Sequence, residues 1–146
     1  YQIVQSPGYV MIMAEMVHDA RIIRLGGSHP ADNITPWLGD SIGHWEGNTL
    51  VVETTNFNSQ HTFRGGLRHF FAITPEAIVT ERFTRISKDQ ILYQFYVDDP
   101  DIYKQVWAGE MPLRSVAEKI YEYACHEGNY SMANILAGAR EEEKRR

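Results

Sequence analysis

A chain of 146 residues, 43% hydrophobic and 23% charged, has the size and make-up of one globular domain and is not disordered. Its net charge of −5 argues against a nucleic-acid partner, which needs a concentrated basic face, and no apolar stretch approaches the ~18 residues of a membrane span. The single cysteine, Cys125, excludes an internal disulfide and a cysteine-rich zinc site.

Aromatics make up 12% of the chain, which favours strands, where rings pack on a pleated surface. Tyr1 to Gln5 reads as a strand and is broken by the turn signal Pro7-Gly8. Tyr9 to Val17 is a second strand, apolar on both faces, and His18-Asp19 turns it into a third from Arg21 to Leu25. Gly26-Gly27 ends that strand, and Pro30, Asp32, Asn33 and Pro36 make Ser28 to Pro36 a loop.

The clearest hairpin joins Ser41 to Glu46 with Thr49 to Thr55 through Gly47-Asn48, a two-residue loop of the primed kind. That loop fixes register. Trp45 faces Leu50, so Trp45, Leu50 and Val52 share an inner face, and Trp45 is expected in the core. His44, Glu46 and Glu53 share the other face, with His44 and Glu53 as diagonal neighbours.

Asn56 to Glu76 is a long connection with Gly65-Gly66, compatible with a helical turn around Leu67 to Phe71. A second hairpin runs from Ala77 to Ile86, turns at Ser87-Lys88-Asp89 and returns from Gln90 to Val97. If Phe83 faces Tyr93, then Glu81 points at the apolar side. Tyr103 to Leu113 and Lys119 to Ala124 read as two last strands, and Ser131 to Ala137 as a short helix. The basic and acidic residues from Arg140 to Arg146 nearly cancel, as in a solvated helix end.

The expected fold is one mainly β domain over residues 1–146. About eight or nine short strands close most economically as an antiparallel barrel or a two-sheet sandwich, followed by the helix. Because the sequence opens at Tyr1, directly in a strand, it reads as processed or as the C-terminal part of a longer precursor.

Three segments carry a resemblance: Tyr1-Gln-Ile-Val-Gln-Ser-Pro-Gly-Tyr-Val, Gly43-His-Trp-Glu-Gly-Asn-Thr-Leu-Val-Val-Glu-Thr-Thr-Asn-Phe, and Tyr121-Glu-Tyr-Ala-Cys-His-Glu-Gly-Asn-Tyr. Together they resemble a widespread family of uncharacterised proteins of soil and other bacteria, usually longer precursors with a secretory signal peptide. The resemblance implies a periplasmic or secreted location and a missing N-terminal segment, and brings no activity. Gly43-His-Trp-Glu-Gly before an alternating strand is also similar to lipocalin-type barrels, by fold analogy alone.

Six histidines (His18, His29, His44, His61, His69 and His126) form no His-x-His or His-x-x-x-His pair, so no metal is expected. A site built from separate strands would draw on His18, His44, His126 and Glu122. Cys125 and His126 are sequence neighbours and would point to opposite faces of a strand, which disfavours a thiolate–imidazole pair. Glycines Gly43, Gly47, Gly65 and Gly66 make no phosphate cradle, and no cofactor is expected.

Acid–base chemistry has better material. Glu15, Glu53, Glu81 and Glu122 interrupt apolar runs, where burial raises a carboxyl pKa. Glu53, His44, His18 and Glu122 are the catalytic candidates. The plainer reading pairs each Glu with a structural arginine such as Arg21, Arg82, Arg85 or Arg114. For ligand binding the candidates are Trp37, Trp107, Tyr93 and Glu81, since a small barrel can hold one ligand.

Three functions follow in order. The first is binding of a small, partly apolar molecule in the barrel interior. The second is an acid–base lyase, isomerase or hydrolase. The third is an interaction domain whose open edge is completed by another chain, either a second copy or the missing N-terminal segment.

Overall fold

The computed structural model describes residues 1–31, 33–60, 62–64, 70–124 and 126–145, with backbone alone for 62–64, 70 and 71. The elements in chain order are β1 (Gln2–Ser6), β2 (Tyr9–Met13), β3 (Ala20–Leu25), β4 (Asp40–Glu46), β5 (Thr49–Thr55), β6 (Thr62–Arg64), β7 (Phe70–Ala72), β8 (Ile78–Ser87), β9 (Gln90–Asp98), β10 (Trp107–Arg114) and α1 (Ser131–Lys144). Eight of the strands form one sheet in the order β1-β2-β3-β4-β5-β8-β9-β10, curled into a half-barrel, while β6 and β7 pair separately. The protein is therefore mainly β with a short C-terminal helix, as the alternating patterns indicate.

Local chemistry explains the hairpins. Pro7-Gly8 joins β1 to β2, with Gly8 at φ 79, as a turn with Pro first and Gly second requires. Gly47, at φ 61, opens the β4–β5 turn, and Trp45 stands opposite Leu50 as the two-residue loop demands. Phe83 stands opposite Tyr93 across β8 and β9.

Because side chains alternate across a strand, these registers put one residue set on the concave face. Val10 on β2, Ile23 on β3, Leu50 and Val52 on β5, and Phe83 on β8 form the buried core. Gly43 lets β3 approach β4, since a Cβ there would lie 2.9 Å from Ile23 Cγ2.

The structure corrects several expectations. The connection from Gly26 to Gly39 crosses over, so β3 and β4 pair in parallel, while every other pair in the sheet is antiparallel. Arg24 and His29 fasten this crossing to Asp40, at 2.8 Å and 2.6 Å. The second strand stops at Met13 rather than Val17, because Val17 and His18 turn back through positive φ (68° and 62°).

Trp45 has the expected register but is 46% exposed, because the sheet does not close over it. Lys119 to Ala124 is not a strand and is largely exposed. Pro112 in β10 removes a backbone donor, which suits an edge strand and discourages another strand from adding there. The helical turn considered around Leu67 to Phe71 lies outside the described residues at 65–69, and Phe70–Ala72 is a strand. His61, His69 and Cys125 also lie outside the described residues. The helix runs on past Ala137 to Lys144, where Glu141 and Lys144 pair at 2.7 Å, and it buries no residue. Among the described residues no helix is long and apolar enough to cross a membrane.

Candidate ligand-binding site

The concave face is hollow. A cavity of about 480 Å³ is lined by β1 (Ile3), β2 (Ile12), β3 (Arg21), β8 (Val79, Glu81, Phe83), β9 (Tyr93) and β10 (Met111, Leu113), so both edge strands reach it. Leu38, Phe57 and Ile73 contribute from connections. A second hollow of about 310 Å³ shares Ile3, Ile12 and Phe83, and Trp45 stands on its wall.

The floor of the larger cavity is polar. Glu81 follows Val79 and precedes Phe83 on the inward face of β8, so alternation alone puts its carboxylate among apolar side chains, 4% exposed. Arg21 reaches it from β3 with two hydrogen bonds, 2.5 Å to Oε2 and 3.0 Å to Oε1. The Tyr93 hydroxyl donates to Oε1 at 2.8 Å from β9. Burial pushes the Tyr93 phenol far above its ordinary pKa, and the adjoining Glu81 carboxylate adds to the shift. An unpaired carboxylate at this depth would cost several kcal/mol, and the paired geometry removes most of that cost.

A ring row continues from this group: Phe83 to Tyr93 at 4.9 Å, Tyr93 to Phe95 at 5.8 Å, and Phe95 to Trp107 edge-on at 5.3 Å. Met16 and the exposed Val17 form part of the rim. The left-handed φ of Val17 is unusual for a β-branched residue.

Of the ligand-binding candidates, Glu81 and Tyr93 share this cavity and touch each other. Trp107 packs on Phe95 and Tyr103 and is not part of the lining, and Trp37 is 52% exposed on the connection before β4. The catalytic candidates are not brought together. His18 is exposed in the turn after β2, and Glu122 is exposed in the segment after β10.

His44 and Glu53 share the convex face but turn to other partners. His44 Nε2 lies 3.3 Å from Glu46, and Glu53 lies 3.3 Å from His29 Nε2. Arg82 also donates to Glu46 at 2.8 Å, and these contacts hold the exposed Glu46 carboxyl below its usual range. Glu15 is exposed.

Arg21 enters the site although sequence reading gave it only a structural part. The signal was present: Arg21, Ile23 and Leu25 fall on one face at period two, so a strand that buries Ile23 carries Arg21 inward. The His29–Asp40 contact had no such signal, since it joins a loop to a strand start. Among the described residues no group of His, Cys, Asp and Glu is arranged to hold a metal ion. The chain matches no family model, no curated protein and no solved structure.

Proposed function

We propose that the half-barrel binds one small, partly apolar molecule in its concavity, seated against Arg21, Glu81 and Tyr93. The observation that carries this reading is a hydrogen-bonded charged group at the floor of an apolar hollow of about 480 Å³. That size lies within the range of ligand pockets, and a few polar groups in an apolar lining are what fix a ligand's orientation. An interaction domain completed by another chain would be better supported by a filled core with a bare edge. An acid–base enzyme has less support, because both Glu81 oxygens are occupied and His18, His44, Glu53 and Glu122 stand elsewhere. The motif resemblance supports a periplasmic or secreted bacterial protein, which fractionation of cells expressing the tagged gene would test.

Titration with N-phenyl-1-naphthylamine, a neutral dye that brightens in apolar sites, tests the binding reading. Saturable, one-to-one binding is expected for the wild type. Ile12→Trp, which fills the hollow from β2, should lose most of it while keeping the β-sheet circular dichroism. Non-saturable brightening, equal in the two proteins, would sink the proposal.

A further inference from the structure

The three polar side chains at the cavity floor differ in what they leave for a ligand. Glu81 accepts from Arg21 at both oxygens and from Tyr93 at one of them. Tyr93 gives its only proton to Glu81. Arg21 donates only to Glu81 among the described residues, through one N–H of each terminal nitrogen. Its Nε–H and the second N–H on each terminal nitrogen are left for another acceptor. The floor therefore offers donors.

Charge decides which acceptor suits them. Among the described residues that line the cavity, the ionisable side chains apart from phenols are Arg21, Glu81 and Asp19, which sum to −1. A carboxylate ligand would add a further negative charge to an apolar space and share one guanidinium with Glu81. Moving that ion out of water costs more than a shared partner returns. A cation would meet the same desolvation, face Arg21 and find the Glu81 oxygens taken. It would have only the partly exposed Asp19 carboxylate to pair with, where water screens the attraction. A neutral carbonyl meets none of these costs and accepts a charge-assisted hydrogen bond.

We infer that the ligand is a neutral molecule, apolar over most of its length, with one carbonyl-type acceptor (a ketone, ester or amide) directed at Arg21. This rests on the cavity-binding reading and narrows it. The acids and amines that an arginine and a glutamate would attract separately are disfavoured because each residue neutralises the other.

Competition against bound N-phenyl-1-naphthylamine at pH 7.5 tests it, with decan-2-one, decanoate and decylamine as ligands of matched chain length. Decan-2-one should displace the dye at a concentration about tenfold below that needed by decanoate or decylamine, the ratio one charge-assisted bond supports. Glu81→Gln removes the counter-charge of Arg21 and should reverse the order, with decanoate now ahead of the ketone. If Glu81→Gln does not fold, Asp19→Asn makes the same test by lifting the excess negative charge, and decanoate should gain on the ketone severalfold.

Decanoate or decylamine equal to or tighter than the ketone on the wild type overturns the inference and leaves cavity binding standing. An unchanged ratio in the folded variant also overturns it. Failure of the dye itself to bind saturably overturns both.

Discussion

Glu81 sits where side-chain alternation puts it, and its neighbours make that position tolerable. Removing Arg21 alone would leave a buried carboxylate with only the Tyr93 hydroxyl, so Arg21→Met should cost about 3–5 kcal/mol in urea unfolding. Arg21→Met with Glu81→Leu should recover part of that loss, because the apolar pair carries no charge desolvation cost but leaves the Tyr93 hydroxyl without its acceptor. A double variant as unstable as the single would show that the pair contributes more than mutual neutralisation. Tyr93 gives the pH dependence. Its pKa is raised in the folded protein, so the stability it lends is complete below the unfolded tyrosine value of about 10 and is lost as pH rises beyond it. Alkaline unfolding should therefore steepen above about pH 10, and Tyr93→Phe should flatten that limb. An unaltered alkaline profile in Tyr93→Phe would contradict the assignment.

At the scale of elements, the hairpins were legible because a short turn and a period of two fix register together. Gly47-Asn48 dictated Trp45 opposite Leu50, and the apolar alternation of Val79, Phe83, Tyr93 and Phe95 dictated the inward Glu81. Closure was not legible. Trp45 lies on the inner face yet stays 46% exposed, whereas Leu50 is 4% exposed on the same register line. Leu50→Ala should thus cost about 2–5 kcal/mol, and Trp45→Ala clearly less than the about 3–5 kcal/mol of a core tryptophan. Equal losses by chemical denaturation would mean that Trp45 is covered in solution. Lys119 to Ala124 shows the opposite error, since alternation without a partner edge makes no strand. The site was half legible for a related reason: Glu81 and Tyr93 follow from one hairpin, while Arg21 arrives from a strand 60 positions away in sequence.

In the whole molecule, the edge strands β1 and β10 both line one hollow, and the half-barrel stays open between them. The parallel step from β3 to β4 has a particular place in this arrangement. It joins the β1–β3 group to the β4–β10 group through only three aligned residue pairs, Ile23 with Ser41, Arg24 with Ile42 and Leu25 with Gly43. The β8–β9 ladder is far longer, from Ile78 with Asp98 to Ser87 with Gln90. A sheet opens first along its shortest ladder, so the two groups should behave as separate cooperative units in native-state amide exchange. The amides of β3 and the start of β4 should exchange well before those of β8 and β9; uniform protection across the sheet would refute this division. The Arg21–Glu81 bond spans the same junction, from β3 to β8. A molecule held against Arg21 and Phe83 would bridge both units, and its binding should read out as slowed exchange at that hinge line.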